Sequence, residues 1–454
     1  MTGLRVDRIG VAGAGTMGTG IAQVAALGGY ATYLHDPDPD ALAAGELRLR
    51  GDLLKGADRG RWTNAEAEAA SARLRTAARL DRLAACDLVI EAAPESLGLK
   101  RDLFAQLESI CAPEAILATN TSSLSVTEIA ATGGRPERIC GMHFFNPPAL
   151  MELVEIVAGE RTSAEALGTA TEVAERMART PIRAADGIGF LANRCARPFT
   201  LEALRLVGER IAPPDQVDRI VRIGGGYRMG PFELMDLVGV DVNLEVARSF
   251  FSQSEGEPRW QPHPLQERLV VEGRLGRKAG RGWYEYGDGP HRPEDPSPPE
   301  PTPAARLDPA LEASVHWVAL PDLAQARAVE IAPAPTAHPD VLSAAGRHFA
   351  SLGKHIECVL GDAPGLVLGR IVSQLVNEAC FAVGEGVGTA EDVDTALRLG
   401  FNHPRGPFEW GRAIGPQAVL ATLDALRSEL GHDRYRAAPL LRSWASVGGA
   451  TPPA

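Results

Sequence analysis

Residues 140–157 read Cys-Gly-Met-His-Phe-Phe-Asn-Pro-Pro-Ala-Leu-Met-Glu-Leu-Val-Glu-Ile-Val. The pattern predicts a strand from 138 to 144, a break at Pro147-Pro148, and a second apolar strand from 153 to 157. Strands this apolar are typical of a sheet that is covered on both faces. The stretch therefore indicates a buried sheet beside which the chain turns back on itself.

One histidine and one carboxylate occupy matching places in these two strands. His143 lies at the end of the first strand and Glu155 lies in the second, so the turn can bring them together. A carboxylate on one ring nitrogen fixes the tautomer, raises the basicity of the other nitrogen and stabilises the imidazolium. The pair is a candidate general base. The alternative is a core histidine bonded to backbone, with Glu155 on an exposed strand face.

A glycine-rich turn follows the first strand of the chain. Gly13, Gly15 and Gly18 form the pattern G-x-G-x-x-G between a strand and an apolar helix, with Thr16 and Met17 at the helix start. These glycines permit a tight turn, approach of a pyrophosphate and close helix packing, and the helix N-terminus offers free N–H groups. The alternative is that the glycines serve only the turn.

The second strand ends in an acid that suits a dinucleotide. Asp36 is placed to accept hydrogen bonds from an adenosine ribose and to repel a 2′-phosphate. NAD is therefore favoured over NADP as the cofactor.

Further polar residues stand where strands of the predicted sheet end. Glu95 and Lys100 follow one strand, and Asn120 and Ser122 follow the next. Ligands bind at this edge of open α/β sheets, so these side chains are candidates for a site. Ser122 has an alternative role as the cap of the helix that follows it.

Residues 39–83 are predicted to form two polar helices with a small basic cluster near their junction. The cluster consists of Lys55, Arg59 and Arg61. Such a cluster is usually a solvated face. The alternative is a contact with the phosphates of a bulky substrate.

The composition is that of an ordinary globular protein, with 45% hydrophobic and 23% charged residues. The formal charge of −12 argues against nucleic acid or an acidic membrane surface as the main partner. No apolar run reaches the roughly 18 residues needed to span a bilayer. The six cysteines are scattered without a CxxC pair, so we expect reduced thiols, a cytoplasmic location and no metal site.

The character of the chain changes after residue 186, and its helical part occurs twice. Residues 186–194 match 362–370, and residues 230–233 match 406–409, so both matches have the same offset along the chain. Asn193 of the first copy is Gly369 in the second, so only the first can complete a site that needs this amide. The predicted order is a Rossmann-type α/β domain at 1–186, a helical domain at 187–286, a proline-rich linker at 287–309, a short α/β remnant at 310–361 and a degenerate second helical domain at 362–454.

With these motifs the chain resembles the 3-hydroxyacyl-CoA dehydrogenase family over residues 5–286 and again over 345–454. The resemblance rests on the glycine loop, Asp36, Glu95 with Lys100, Asn120-Thr121-Ser122-Ser123, His143-Phe144-Phe145-Asn146-Pro147, Glu155, and Gly189-Phe190-x-x-Asn193-Arg194. The two helical domains are similar to those of longer bacterial members that act on 3-hydroxybutyryl-CoA or 3-hydroxyadipyl-CoA.

The resemblance implies NAD-dependent oxidation of an (S)-3-hydroxyacyl-CoA in fatty-acid (β-oxidation) or aromatic catabolism, with His143 as the general base paired with Glu155. It implies that Ser122 and Asn193 hold the reacting hydroxyl and the thioester carbonyl. The cofactor set that it implies comprises the glycine loop, Asp36 at the adenosine ribose, Asn120, and, along the nicotinamide half, Glu95, Lys100 and Asn146.

Three other functions stay open or are disfavoured. The same scaffold could oxidise a free hydroxy acid, because the basic cluster for CoA phosphates is weak, or it could bind NAD without catalysis. A fused enoyl-CoA hydratase is disfavoured, since residues 287–361 are too few for such a domain. For the second helical copy we expect a structural role as an internal partner surface in place of a second subunit. A homo-oligomer is also open.

Overall fold

Eight strands form one sheet with the order β3-β2-β1-β4-β5-β6-β7-β8. In this computed structural model β1 to β6 run parallel, β7 is antiparallel to β6, and β8 is parallel to β7. The strands are β1 (Arg8–Ala12), β2 (Ala31–His35), β3 (Leu74–Ala77), β4 (Leu88–Glu91), β5 (Ile116–Thr119), β6 (Ile139–Phe144), β7 (Leu153–Ala158) and β8 (Thr180–Ala185). The glycine loop and the polar loops therefore lie together, at the carboxyl ends of β1, β4 and β5.

Helices cover this sheet and begin where polar caps stand in the sequence. Asp38 accepts the N–H of Asp40 at 2.9 Å before the second helix, and Thr63 forms a capping box with Glu66 before the third. The helices are α1 (Thr16–Leu27), α2 (Pro39–Asp58), α3 (Asn64–Arg73), α4 (Leu97–Ile110), α5 (Val126–Ala130) and α6 (Ala164–Arg176). The apolar faces of α1, α2, α3 and α6 form one core with the buried strands. The predicted α/β class is confirmed.

The structure describes residues 4–131, 133–302, 314–334 and 340–448. The chain divides into two compact units, Met1–Ala192 with Gly386–Gly400, and Asn193–Glu385 with Phe401–Ala454. Parts of the predicted linker (303–309), remnant (310–313 and 335–339) and second helical domain (449–454) lie outside the described residues. Within the described ranges, no helix has the length and apolar character needed to cross a membrane.

One prediction for the first unit is wrong, and the structure also rules out the alternative role of Ser122 as a helix cap. Residues 39–83 contain, besides the two helices, the edge strand β3 and a short 3-10 helix at Leu80–Ala85. The strand reads Leu-Arg-Thr-Ala, which carries almost no strand signal, and it forms because β2 offers a free edge. The cap of α5 is Ser125, whose hydroxyl accepts the N–H of Glu128 at 3.1 Å, and not Ser122.

The rest of the chain is mainly helical and repeats its own helix boundaries. The first copy has α7 (Ala192–Gly208), α8 (Pro214–Gly225), α9 (Pro231–Val238), α10 (Val240–Gln253) and α11 (Pro264–Val271). The second has α13 (Leu368–Gly384), α14 (Ala390–Phe401), α15 (Pro407–Ile414), α16 (Pro416–Leu430) and α17 (Pro439–Val447). The starts of α13, α14, α15 and α16 follow those of α7, α8, α9 and α10 by one constant offset, the same one that separates the repeated motifs. The predicted all-α character with a duplicated helical part is confirmed.

The duplication extends further back than the sequence analysis predicts. A three-stranded sheet, made of β9 (Val315–Val318), β10 (Ala328–Pro333) and β11 (His355–Cys358), carries the helix α12 (Asp340–Ser351). β10 lies between an antiparallel β9 and a parallel β11, as β7 lies between β6 and β8. The remnant is therefore a second β6-β7-α6-β8 unit, and its elements follow those of the first by nearly the same offset as the helices.

The second copy keeps the acid of the first but not its histidine. Val318 stands opposite Glu330 in the antiparallel pair, where His143 stands opposite Glu155 in the first copy. Glu330 is buried and accepts the N–H groups of Val367 (2.7 Å) and of the following residue (3.1 Å) at the start of α13. Burial raises its pKa to about 8, although these hydrogen bonds favour the charged form.

Each copy lends a helix to the strands of the other. In the second unit α8 packs against β10 and β11, and Arg219 bonds Glu357 at 2.9 Å. In the first unit the second copy's α14 segment lies beside β7, where a Cβ built on Gly400 would stand 2.8 Å from Leu153 and 3.2 Å from Phe145. This exchange explains why Gly386–Gly400 belongs to the first unit.

The predicted linker is extended but is tied to the first helical copy over its described part. Arg292 bonds Glu233 at 2.6 Å, and Asp295 bonds Arg222 at 2.6 Å. Residues 287–302 contain neither helix nor strand. Their ion pairs hold them against α8 and α9, so this segment is not a free spacer.

Replacing Glu330 by Gln should change how stability depends on pH. The pKa of Glu330 rises on folding from an ordinary value of 4.5 to about 8, so its contribution to stability is full below pH 4.5 and is lost as the pH rises through 8. We expect the difference in melting temperature, variant minus native, to become more positive between pH 6 and pH 9. Thermal melts at matched ionic strength measure it. Parallel pH profiles of the melting temperature in the two proteins would contradict the raised pKa of Glu330.

Candidate active site

His143 and Glu155 meet in the first unit. The antiparallel register sets the two residues directly opposite each other, and His143 Nδ1 lies 2.7 Å from Glu155 Oε2. Glu155 is fully buried and His143 is 6% exposed, so Glu155 is not on an exposed strand face and the imidazole bonds a carboxylate and not backbone. A carboxylate on Nδ1 assigns the proton to that nitrogen and leaves Nε2 with its lone pair. The arrangement can therefore accept a proton at Nε2.

Glu155 also holds the start of α7. Its second oxygen, Oε1, accepts the N–H of Leu191 at 3.0 Å and that of Ala192 at 2.8 Å. Both carboxylate oxygens are thus bonded, as a buried acid requires. The same carboxylate therefore holds both the imidazole of His143 and the backbone of Ala192. The next residue in the chain is Asn193, which is half-buried.

Two aromatic rings flank the imidazole. Phe145 lies 4.6 Å and Phe190 lies 5.9 Å from His143, measured between ring centroids. Phe190 adopts a positive φ of 48°, directly after Gly189 with φ 69°. The rings surround the imidazole with apolar groups. The electrostatic interaction between His143 and Glu155 is stronger in such surroundings than in water.

Glu95 organises the loop that contains Ser122. Its Oε1 accepts the Thr121 hydroxyl at 2.6 Å, the Ser122 N–H at 3.1 Å and the Ser123 hydroxyl at 2.9 Å. Burial opposes its charge, but these hydrogen bonds and the ammonium of Lys100 outweigh that effect and lower the pKa of Glu95. The Ser122 side chain is exposed, and its hydroxyl bonds no other residue that the structure describes. It is free to bind a ligand.

Lys100 does not lie open to a cofactor. It is 1% exposed, and its Nζ lies 2.6 Å from Glu91 and 3.2 Å from Glu95. It therefore holds two carboxylates in place from beneath the loop, which makes it a positioning residue. Glu91 was missed by the sequence analysis. An acid in an otherwise apolar strand was the available signal.

The two asparagines take different places. Asn120 Oδ1 accepts the N–H of Phe144 at 2.8 Å, so it fixes the strand at the residue after His143. Asn146 is exposed just beyond the end of β6. Asn146 can reach a ligand, whereas Asn120 already accepts a backbone hydrogen bond of β6.

The glycine loop fits a dinucleotide. A Cβ on Gly13 would stand 2.4 Å from the carbonyl oxygen of Ala92, and a Cβ on Gly18 would stand 1.8 Å from the carbonyl oxygen of Gly13. A Cβ on Gly15 would meet nothing within 4 Å. Within the described ranges no side chain caps α1, so its first N–H groups are free for a phosphate. Gly13 and Gly18 are needed by the fold, and Gly15 leaves the space that a pyrophosphate needs.

The acid at the end of β2 borders the same loop. Asp36 accepts the N–H of Ala14 at 2.8 Å and that of Asp38 at 3.0 Å, one on each oxygen. Each oxygen keeps a further lone pair for a ribose hydroxyl. Thr16, exposed, and Met17, half-buried, begin α1 beside it.

The basic cluster lies on the surface at the junction of α2 and α3. Lys55, Arg59 and Arg61 are all exposed, and Lys55 pairs with Asp52 at 3.2 Å. Trp62 packs on the junction and donates to the carbonyl of Leu53 at 2.7 Å, which holds the turn. The cluster is presented to solvent. Elsewhere in the described ranges, no group of three or more His, Cys, Asp and Glu side chains is arranged to hold a metal ion.

Comparisons with known proteins point to one family. Residues 8–187 match the family described as 3-hydroxyacyl-CoA dehydrogenase, NAD binding domain, and residues 189–286 and 365–451 match its C-terminal domain. The chain is similar, at 37% identity over 97% of both chains, to the 3-hydroxyadipyl-CoA dehydrogenase of Escherichia coli K12.

Two further relatives carry a different acyl group in their names. The probable 3-hydroxybutyryl-CoA dehydrogenase of Bacillus subtilis 168 is 40% identical over 62% of this chain and 98% of its own. A crystal structure described as 3-hydroxybutyryl-CoA dehydrogenase from Escherichia coli K12 has a TM-score of 0.91 and 36% identity, and covers 98% of this chain and 99% of that one. The likeness therefore extends to the second copy.

Adding one methyl group at two glycines should separate cofactor binding from folding. We expect Gly15→Ala to weaken NAD binding at least about tenfold while the melting temperature of the free protein stays unchanged, because the new Cβ meets only the space for a pyrophosphate. Gly18→Ala, the matched control, should lower the melting temperature by roughly 5 °C or more, because its Cβ would overlap a backbone oxygen. Calorimetric titration and thermal melts measure both. Unchanged NAD affinity in Gly15→Ala would contradict the proposed phosphate position.

Proposed function

The chain belongs to the 3-hydroxyacyl-CoA dehydrogenase family and is an NAD-dependent oxidoreductase, and on this premise we propose that His143, paired with Glu155, takes the hydroxyl proton of an (S)-3-hydroxyacyl-CoA. The observation that carries the proposal is the 2.7 Å contact between Nδ1 and the buried Glu155 carboxylate. It leaves Nε2 as the basic nitrogen, next to the loop edges where ligands bind in such sheets.

The residues of the chain account for the movement of the proton. His143 Nε2 removes it from the substrate hydroxyl, and Glu155 stabilises the imidazolium across Nδ1. NAD, when bound, supplies the hydride acceptor. In the reverse direction the imidazolium returns the proton to the forming alkoxide. Because Glu155 is anchored to the backbone of Ala192 as well, it does not have to move between the two states.

Two polar side chains are proposed to orient the substrate. Ser122 offers a hydroxyl that is free within the described residues, on a loop that Glu95 holds rigid. Asn193 follows Ala192, whose N–H is bonded to Glu155, so the chain itself keeps Asn193 close to the proposed base. We propose that Ser122 binds the reacting hydroxyl and Asn193 the thioester carbonyl.

For the cofactor we propose the glycine loop at the pyrophosphate and Asp36 at the adenosine ribose. The open space at Gly15, the uncapped start of α1 and the spare lone pairs of Asp36 support this. Glu95 and Asn146 are proposed along the nicotinamide half, with Lys100 and Asn120 acting through their neighbours. Lys55, Arg59 and Arg61 are proposed to meet the CoA phosphates, which their exposure supports.

The acyl group is proposed to be short, either 3-hydroxybutyryl or 3-hydroxyadipyl. The names of the similar proteins include both, and the relative that matches the chain from end to end is called a 3-hydroxyadipyl-CoA dehydrogenase. We also propose a cytoplasmic location, because none of the six cysteines is in a disulfide.

The activity is tested by following NADH absorbance with acetoacetyl-CoA beside free acetoacetate. We expect rapid loss of absorbance with the thioester and none with the free acid. His143→Gln should lower turnover by roughly 10²-fold or more while NAD still binds, because only the base is removed. Turnover retained in His143→Gln would remove the mechanism, and activity on the free acid alone would replace the substrate class.

The two copies provide a matched control for Glu155. Glu155→Gln should lower turnover, because the amide cannot stabilise an imidazolium as a carboxylate does. Glu330→Gln changes the equivalent residue opposite Val318 and should leave turnover unchanged. Equal losses in both variants would mean that the acid acts only through the fold.

The second copy is proposed to act as a partner surface within the chain. Arg194 pairs with Glu378 at 2.8 Å and Glu385 at 2.7 Å, and Arg370 pairs with Glu202 and Glu209. The two arginines are equivalent positions of the two copies, and so are the two pairs of acids, so each contact of one copy is returned by the other. Such reciprocity is the signature of an interface between two equivalent surfaces.

Removing the second copy should therefore leave a surface that seeks a partner. A chain ending at residue 302 would lose both acids that pair with Arg194 and the Gly400 contact that covers Phe145. We expect it to self-associate with rising concentration and to lose activity, as measured by light scattering and NADH oxidation beside the full chain. A truncated chain that stays a stable, active monomer would contradict the proposal.

A further inference from the structure

One buried arginine of the first helical copy has no acidic partner in the part of the chain that the structure describes. Six arginines are buried among the described residues, and five of them bond a carboxylate: Arg194, Arg205, Arg222, Arg259 and Arg370. The sixth is Arg197, which is 8% exposed and whose Nε and Nη1 have no hydrogen-bond partner among these residues. A buried guanidinium without an anion is costly, so its retention points to a ligand.

The surroundings of Arg197 support its charge without neutralising it. Its guanidinium carbon lies 5.4 Å from the centre of the Phe250 ring, whose π-electrons favour a cation. Burial lowers its pKa to about 10, so it remains a cation at neutral pH. Its unpartnered N–H groups can donate charge-assisted hydrogen bonds to an anion such as a carboxylate.

Arg197 lies next to Asn193 on the same face of α7. The two residues are one helical turn apart, a rise of about 6 Å along the axis. Asn193 is the residue proposed to bind the thioester carbonyl, near the reacting C3 of the substrate. An anion held by Arg197 would then lie a few carbons away from the reacting centre, at the far end of a short acyl chain.

The second copy indicates that the helix itself does not need an arginine here. The equivalent of Arg197 in α13 is Ser373, which is also buried. The equivalents of Arg194, Glu202 and Glu209 in that helix are still Arg370, Glu378 and Glu385. The side chains that hold the two copies together are therefore present in both copies. Arg197, like His143 and Asn193, is present only in the first.

We infer that Arg197 binds the terminal carboxylate of a dicarboxylic 3-hydroxyacyl-CoA and thereby selects such chains over monocarboxylic ones. The inference rests on the proposed function, because it extends the acyl site beside Asn193. A site built to bond a charged group discriminates strongly against the analogue that lacks it, since its own buried group is then left unpaired. The same guanidinium could instead meet a phosphate of CoA, and the experiment separates the two.

The test uses the full-length enzyme with 3-oxoadipyl-CoA and 3-oxohexanoyl-CoA, which have the same chain length and differ in the terminal carboxylate. We expect the native enzyme to prefer 3-oxoadipyl-CoA. Arg197→Met should lower kcat/KM for it by roughly 10- to 100-fold, mainly through KM, and leave 3-oxohexanoyl-CoA within about threefold. Arg197→Lys should recover part of the loss, because it restores the charge without the planar fork.

Melting temperature is the second measurement. Removing an unpaired buried cation should leave the stability of the free protein unchanged or raised, so Arg197→Met should fold at least as well as the native chain. Equal losses of kcat/KM on both thioesters would assign Arg197 to CoA or to the fold and overturn the inference, as would an unchanged kcat/KM for 3-oxoadipyl-CoA. A native enzyme that is inactive on both thioesters would instead refute the proposed function.

Discussion

The buried carboxylate of Glu155 is bonded on both of its oxygens, and the arrangement of the first unit depends on this division. Oε2 lies against the imidazole of His143, and Oε1 accepts two backbone N–H groups at the start of α7. One side chain therefore ties β6, β7 and α7 together. Replacing Glu155 would therefore disturb both the fold and the proposed base. In the second copy the two roles are separate, because the equivalent acid keeps only the structural one. Glu330 keeps the bonds to the helix, faces Val318, and has its pKa raised to about 8 by burial.

The duplicated surfaces explain why a chain of this kind is long. In the second unit α8 packs on strands of the second copy, and in the first unit the segment around Gly400 packs on strands of the first. Gly400 lies against Phe145, and Phe145 lies 4.6 Å from the imidazole. The second copy thus supports the proposed base although it carries no histidine of its own at that place. On the proposal that the second copy takes the place of a second subunit, the two surfaces meet at an effective concentration that does not depend on dilution.

What the sequence could predict was local or repeated, and what it missed depended on distant partners. The alternation of apolar residues and the two prolines predicted the strands that bring His143 to Glu155, and the constant offset between the repeated motifs predicted the second helical copy. The strand β3 was missed because four ordinary residues become a strand only beside the free edge of β2. The buried position of Lys100 was also missed, since it depends on Glu91, which comes earlier in the sequence and contacts Lys100 only after folding. The second β6-β7-β8 unit was hidden because its residues have diverged while its register has not.

The two copies differ in a way that distinguishes roles. The left-handed pair Gly189 and Phe190 recurs as Gly365 and Leu366, with φ values of 69° and 48° against 77° and 46°. The acid that bonds the helix start recurs as Glu330. The arginine–glutamate pairs are present in both directions, from each copy to the other. These residues serve the fold, because they persist where no chemistry is proposed. His143, Asn193 and Arg197 are replaced by valine, glycine and serine at equivalent positions of the corresponding strand and helix. Because the second copy forms the same local structure with unrelated side chains, that structure does not require these three side chains. Their role in the first copy is therefore attributed to a ligand. The second copy thus serves, within the same chain, as the control for the first.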